Sequence, residues 1–308
     1  MDSDLYILTG FTAVGKTRLS LNWAKDNDAE IISCDSLLFY RNMDIGTAKP
    51  SEAELREVPH HLIDVAEPSE QYSILKYVRA VRSAIADIHA RGKRVLIVGG
   101  SGFYLRSFLG PVVDDLFLDP ALEAEIVKRF GDQSLSESVA ALRSFNPDGL
   151  SGLDVDNPRR VLKAWLRCAA TGKSLRELRE AFESKPGPFD SYIRRLLVLS
   201  RPREVLEDRV RQRVDMMIAS GLIEEVRRLE HMDFERNPSA AGAIGYRETL
   251  ACINGLISEK ELAETIAKNT RKLLKKQRTW FKKFLPAEAV FDVTDASGLP
   301  DVWFRLPE

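Results

Sequence analysis

The chain has 308 residues but only three cysteines, Cys34, Cys168 and Cys252, an odd number spread far apart. That pattern supports neither a disulfide framework nor a cysteine zinc site, and it points to a reducing, cytoplasmic setting. Histidine is scarce, at four residues. His60 and His61 adjoin without a third ligand at metal-binding spacing, so a structural or substrate-loop role is expected for them. No apolar run approaches the ~20 residues that a membrane-spanning helix needs. Residues 1–4 are acidic and run straight into a strand-like segment, so no signal peptide is expected. A formal net charge of −1 gives no global field to draw a polyanion, and any nucleic-acid binding must come from local patches.

What is present is Gly10-Phe11-Thr12-Ala13-Val14-Gly15-Lys16-Thr17, which fits the phosphate-loop pattern G-x-x-x-x-G-K-[ST]. The apolar run 5–9 before it reads as a buried strand, and 18–25 after it as a helix. A strand, a glycine-rich turn and a helix start aim backbone N–H groups at an anion. Lys16 adds a point charge, and the Thr17 hydroxyl suits a metal-bound phosphate. The segment is therefore expected to grip a diphosphate or triphosphate, and a loop of this kind also serves ATP and other nucleotides.

Short apolar runs at 5–9, 31–34, 95–98, 196–199 and 290–293 alternate with helical patterns. The alternation predicts an α/β fold, a P-loop NTPase-like doubly wound parallel sheet of about five strands. Ile74, Tyr77, Val78, Val81, Ile85 and Ile88 recur at helical spacing over 73–91, and Gly92 ends that helix. Residues 112–190 read as an inserted helical subdomain, with helices over 121–130, 136–145 and 159–171, which leaves 1–111 and 191–308 as the core. The last third is expected to be helical over 203–232, 246–253 and 258–284, with Trp303 and Phe304 closing over the core.

An ATP-hydrolysing phosphate loop is usually partnered by an acid that ends a strand and holds Mg²⁺. Strand 95–98 ends instead in Gly99-Gly100-Ser101-Gly102, which weakens an ATPase reading and leaves a kinase open. Strand 31–34 runs into Asp35-Ser36. Ligands of open α/β sheets bind beyond the carboxyl ends of the strands, so Asp35 points toward the crevice of the phosphate loop. Its carboxylate is suited to holding a metal, binding an amine, taking a proton or capping the next helix, and spacing does not choose among these.

Cations cluster in two places. Residues 268–283 contain no acid; Lys268, Arg271, Lys275, Arg278 and Lys282 form one helical stripe, with Leu273, Leu274, Trp280, Phe281 and Phe284 on the other side. Arg159, Arg160, Lys163 and Arg167 form a second cluster. Such faces suit nucleic-acid phosphates, a membrane surface or plain solvent. Arg209 and Arg213 share a helix face, which by spacing alone reads as a solvated basic stripe.

Taken together, the phosphate loop and the segments 35–50, 59–65, 71–73, 98–104, 157–160, 171–175, 245–247 and 276–280 closely resemble the tRNA dimethylallyltransferases. The blocks stand in family order over nearly the whole chain. The most specific is Asp35 and Tyr40 followed by Met43-Asp44-Ile45-Gly46-Thr47-Ala48-Lys49-Pro50. The resemblance implies transfer of a dimethylallyl group from dimethylallyl diphosphate to N6 of adenosine 37, beside the tRNA anticodon, with Mg²⁺ as cofactor. It implies that Gly10, Phe11, Thr12, Ala13, Val14, Gly15, Lys16 and Thr17 hold the diphosphate instead of ATP, that Thr17 meets the metal, and that Arg213 is a further diphosphate ligand. Asp35 would take the amine proton, with Lys16, Thr17, Ser101 and Arg213 sharing the catalysis. The tRNA would meet Asp35, Ser36, Leu37, Leu38, Ser101, Arg159, Arg160, Val161, Leu162, Lys163, Arg247, Arg271, Lys275 and Arg278, with the insertion 112–190 helping to grip the anticodon stem-loop. A cytoplasmic monomer with no membrane contact is implied as well.

Four positions depart from the family pattern. Ser101 replaces a usual threonine and keeps the hydroxyl, Phe11 replaces a proline, Lys163 keeps a charge where arginine is frequent, and Glu123 stands where a basic residue is frequent. Phe39 and Tyr40, beside the base-receiving segment, read equally as core. The rival readings are a P-loop kinase with ATP turnover, a prenyltransferase acting on free AMP or ATP, and a non-catalytic RNA-binding protein, which has no use for Asp35 beside Lys16.

Overall fold

The computed structural model describes residues 4–112, 118–150, 152–294, 296, 298–299 and 304. Residues 1–3 and Trp303 lie outside them. The chain divides into two compact units: Met1–Leu109 with Phe189–Glu308, and Gly110–Pro188.

The first unit begins with β1 (Asp4–Gly10), α1 (Lys16–Asp26) and β2 (Ala29–Ser33). It continues through α2 (Glu52–Glu57), β3 (His60–His61), α3 (Ile74–Ala90), β4 (Arg94–Val98) and α4 (Gly102–Leu105). The second unit holds α5 (Pro120–Gly131), α6 (Leu135–Ser144), α7 (Pro158–Thr171) and α8 (Leu175–Glu183). The chain then resumes the first unit with β5 (Ile193–Ser200), α9 (Arg203–Ala219), α10 (Leu222–Glu230) and α11 (Pro238–Ala241). It closes with α12 (Tyr246–Ile253), α13 (Glu259–Phe284) and β6 (Val290–Asp292).

The sheet has six strands in the order β3-β2-β4-β1-β5-β6, with every pairing parallel. Five strands are those expected from the apolar runs. The sixth, β3, adds only His60 and His61 at the edge, pairing Ile31 and Ile32. Its carriers are tied down: His61 Nε2 lies 2.6 Å from the buried Glu30 carboxylate, which also receives Arg91. The central strands are apolar along their length because helices cover both faces. Leu5, Ile7, Leu8, Val95, Leu96 and Ile97 are all buried. The connection from β1 leaves toward β2 and that from β4 leaves in the opposite direction toward β5, so the crevice opens at the carboxyl ends of β1 and β4.

The helix expected over 203–232 is two helices. Gly221 takes a left-handed conformation, φ 93°, between α9 and α10 and turns the chain. The turn points Leu222, Glu225, Val226 and Leu229 inward. At the far side of the sheet, Phe304 packs its ring 5.3 Å from Tyr6 and 5.2 Å from Trp23.

The helical unit has its own core of Ile126, Leu142, Val161, Trp165, Cys168 and Leu178. Asn146 is buried there; its Oδ1 accepts from Leu175 N at 2.6 Å and its Nδ2 donates to Leu142 O at 2.8 Å. Ser134 with Glu137 and Ser174 with Glu177 close capping boxes that start α6 and α8. Glu123 lies exposed in the first turn of α5, where an acid complements the helix dipole.

Candidate active site

The anion loop runs from β1 into α1. Gly15 is the N-cap, no side chain caps the helix, and the first turn carries no acid. The positive end of α1 is thereby left for an external anion. Lys16 Nζ folds back over its own loop, donating to Gly10 O and Phe11 O at 2.9 Å each. Burial pulls the Lys16 pKa from 10.5 down to about 8; Asp35 works against that, and Arg213 adds to it. The Phe11 ring lies buried, edge-on to Phe281 at 5.1 Å, and its carbonyl serves Lys16 and Val14 N.

Three arginines of one region shape this loop and its surroundings. Arg201 Nε donates to Val14 O at 2.8 Å, and Arg209 Nε donates to Ala13 O at 2.6 Å. Arg213, one turn further along α9, donates through Nη2 to Thr47 O at 2.9 Å. Desolvation lowers its pKa while Asp35 opposes the shift. The solvated stripe suggested by spacing is corrected for Arg213, which is desolvated and lines the cleft; Arg209 stays exposed while it holds the Ala13 carbonyl.

β2 delivers Asp35 to the opposite wall. Its Oδ1 accepts from Leu37 N at 3.0 Å, closing a local turn, and the next helix begins only at Glu52. It does not cap a helix. The turn after β4 shows why no acid ends that strand. A Cβ added at Gly99 would lie 2.0 Å from Cys34 O, so the chains leaving β2 and β4 touch and exclude any side chain there. Ser101 N donates to Cys34 O at 3.4 Å, which ties the turn after β4 to the end of β2, and Ser101 and Asp35 both line the cleft. Cys34 itself is buried, and burial pushes its thiol up to about 12, which removes it as a nucleophile.

Lys16, Thr17, Asp35, Ser36, Leu37, Leu38, Ser101 and Arg213 line one cleft of about 580 Å³. That falls within the ~300–1,000 Å³ of small-molecule sites. Val210, Val214 and Met217 from α9, and Ile266, Leu273 and Trp280 from α13, give it an apolar side. Polar charge at one end and hydrocarbon along the walls suit an anion joined to a short apolar chain. Among the described residues no group of three or more His, Cys, Asp or Glu side chains is placed to hold a metal. A hard cation here would rely on the exposed Thr17 hydroxyl, substrate phosphates and water. That donor set fits Mg²⁺, which keeps several waters.

Some expectations are corrected. Phe39 and Tyr40 are buried, with Phe39 packed 4.6 Å from Tyr72 and 5.0 Å from Tyr104, so they are core and do not face a ligand. Val161 is fully buried in the helical unit and its side chain has no surface for RNA; Leu162 is half-buried against the same core. Arg159, Arg160 and Lys163 are exposed on α7, with Arg160 paired to Asp154 at 3.1 Å. Lys268, Lys275, Arg278 and Lys282 are exposed on α13, whereas Arg271 is half-buried and paired with Glu264. Leu273 and Trp280, expected on the packed side of that helix, line the cleft. Arg247 is exposed and turned to Glu248 at 2.6 Å.

Residues that sequence reasoning passed over include Gln277, Arg201 and Lys276. Gln277 is buried on α13; its Oε1 accepts from Thr12 N at 3.0 Å and its Nε2 donates to Gly100 O at 3.2 Å. It stitches the anion loop to the turn that carries Ser101. Lys276 and His60 line the cleft. His60 Nδ1 lies 2.7 Å from Val58 O, and burial lowers its pKa, which keeps it neutral near pH 7.

Residues 38–284 match the family model described as IPP transferase. A protein named tRNA dimethylallyltransferase from Opitutus terrae is 50% identical over 300 residues, covering 96% of each chain. One of the same name from Bacillus licheniformis is 41% identical over 94% of this chain and 90% of its own. The solved structure of a tRNA isopentenylpyrophosphate transferase from Bacillus halodurans superposes with a TM-score of 0.68 at 32% identity, covering 96% of this chain and 92% of that one. A eukaryotic dimethylallyltransferase solved acting on tRNA gives a TM-score of 0.78 at 26% identity, covering 96% of this chain and 75% of that one. The cleft, its anion loop and these likenesses together place the chain in the IPP transferase family, and it is a transferase of that family.

Proposed function

We propose that this chain transfers the dimethylallyl group of dimethylallyl diphosphate to N6 of adenosine 37 in tRNA and releases diphosphate. The observation that carries the reading is the meeting of Lys16, Arg213 and Asp35 in the lining of one cleft, with the carboxylate favouring the charged form of both cations. The phosphate loop, Lys16 and Arg213 surround the leaving diphosphate. The Thr17 hydroxyl, with the substrate's own oxygens, would hold Mg²⁺, which would supply positive charge to the leaving group. The N6–carbon bond forms as the carbon–oxygen bond to diphosphate breaks, and the amine loses its proton.

Asp35 is the acceptor of that proton. The amine is barely basic before attack and becomes acidic as the new bond forms, so a positioned carboxylate is a competent base. Ser101, lining the same cleft, orients the nucleotide. Each charge-assisted donor on the leaving group is worth about 3 kcal/mol of transition-state stabilisation. The target base must leave its stack, at a cost of roughly a few kcal/mol, and protein–phosphate contacts offset this. The exposed cations of α13 and of α7 supply those contacts, with the helical unit gripping the anticodon stem-loop. No helix among the described residues is long and apolar enough to cross a membrane. A monomer working in the cytoplasm completes the reading.

The test is incubation with dimethylallyl diphosphate, Mg²⁺ and either unmodified tRNA or AMP, with a separate assay of ATP turnover. Mass spectrometry of nucleosides should find N6-dimethylallyladenosine from tRNA alone. Product from AMP, or ATP turnover without prenylation, would replace the proposal with one of its rivals.

A further inference from the structure

The Thr47 carbonyl that receives Arg213 belongs to an irregular segment between β2 and α2. One buried carboxylate fixes that segment. Glu225 on α10 is 1% exposed. Its Oε2 accepts the N–H groups of Asp44 at 3.0 Å and Ile45 at 2.7 Å. Its Oε1 accepts Gly46 N–H at 3.1 Å and the Tyr246 hydroxyl at 2.8 Å, from α12. Both oxygens are thus satisfied inside a nest of successive backbone donors. The fit is close: a Cβ added at Gly46 would lie 2.6 Å from the Tyr246 ring. The very next residue is Thr47. At the far end of the segment, Lys49 Nζ bonds Tyr40 O at 3.0 Å.

Burying a carboxylate is costly, and an apolar side chain would fill the same space without that cost. What the carboxylate supplies is a fixed path for residues 44–46, and hence a fixed Thr47 carbonyl. We propose that Glu225 is a positioning residue for Arg213: it holds the 44–47 backbone so that the Thr47 carbonyl keeps the guanidinium turned into the cleft. The inference rests on the reading of Arg213 as a diphosphate ligand.

The test is a double-mutant cycle on the full chain. Glu225→Gln preserves size but turns an amide N–H₂ toward backbone N–H donors, opening the nest. Calorimetry with inorganic diphosphate and Mg²⁺ gives Kd, and single-turnover kinetics with tRNA give the rate. Glu225→Gln should weaken diphosphate binding about 10- to 50-fold and leave tRNA Kd unchanged, while the double variant with Arg213→Ala is within about 3-fold of Arg213→Ala alone. Tyr246→Phe, which removes one of the four bonds, should stay within about 3-fold of the parent. If the glutamine chain does not fold, Glu225→Asp, which withdraws the carboxylate by one methylene, takes its place and must show the same non-additivity. Losses that multiply with Arg213→Ala, or diphosphate binding equal to the parent, would overturn the positioning role. Unchanged diphosphate binding in Arg213→Ala alone would instead remove Arg213 from the site, a separate failure.

Discussion

Diphosphate binding should be lost through the titration of one lysine. Lys16 titrates near pH 8 in the empty protein because burial outweighs the help of Asp35. A bound diphosphate favours the ammonium, so binding takes up a proton whenever the pH exceeds that value. For a ligand that needs the protonated lysine, Kd scales as one plus the ratio of neutral to charged form. With a pKa of about 8, that ratio makes Kd nearly flat below pH 7 and about tenfold weaker at pH 9 than at pH 7. The assay is calorimetry with dimethylallyl diphosphate and Mg²⁺, without tRNA, in buffers of different ionisation heat, which counts protons directly. The ligand's own titration is removed by comparison with Lys16→Arg, which stays charged throughout and should show none of the extra weakening. Equal pH profiles for the parent and Lys16→Arg would refute the assignment of Lys16 as a desolvated ligand to the leaving group.

The same depression has a cost in the empty protein. The lowered pKa makes the Lys16 contribution least favourable below pH 8, recovering as pH rises toward 10.5. Lys16→Met should therefore be more stable than the parent at pH 7 by about 1–2 kcal/mol, after discounting the part of the side chain open to the cleft; a lower Tm would contradict this. Gln277→Leu strands Thr12 N–H and Gly100 O, so it should cost about 1–3 kcal/mol in denaturant unfolding and raise KM for the diphosphate substrate more than KM for tRNA. Replacing Lys275, Arg278 and Lys282 together by alanine should weaken tRNA binding and reduce the slope of log K against log salt by about 2–3. An unchanged slope would take that face of α13 off the RNA.

Much of this was legible before any coordinates. Parallel strands covered on both faces are continuous apolar runs, so β1, β2, β4, β5 and β6 stood out. The phosphate loop is fixed by glycine spacing, and Asp35 by its place at a strand end. What could not be read has a common cause. Gln277 meets Thr12 across 265 positions, and Glu225 meets Ile45 across 180. Neither partner carries a local signal, since a glutamine or glutamate within a helix reads as solvated. The strand β3 has only two residues, too few to show a period. Two errors were avoidable. Val161, Ala164, Trp165 and Cys168 form an apolar helical stripe, which marks Val161 as core. Gly221 in mid-pattern was a break that periodicity on both sides of it concealed.

The central claim is a proton acceptor facing an anion cradle, and Asp35→Asn tests it most directly under single-turnover conditions with saturating tRNA. Asparagine removes a negative charge beside Lys16 and Arg213, so dimethylallyl diphosphate should bind as tightly as before or tighter. The rate of N6 prenylation should nonetheless fall by about 10²–10⁴. A rate equal to that of the parent, with diphosphate still bound, would contradict the account.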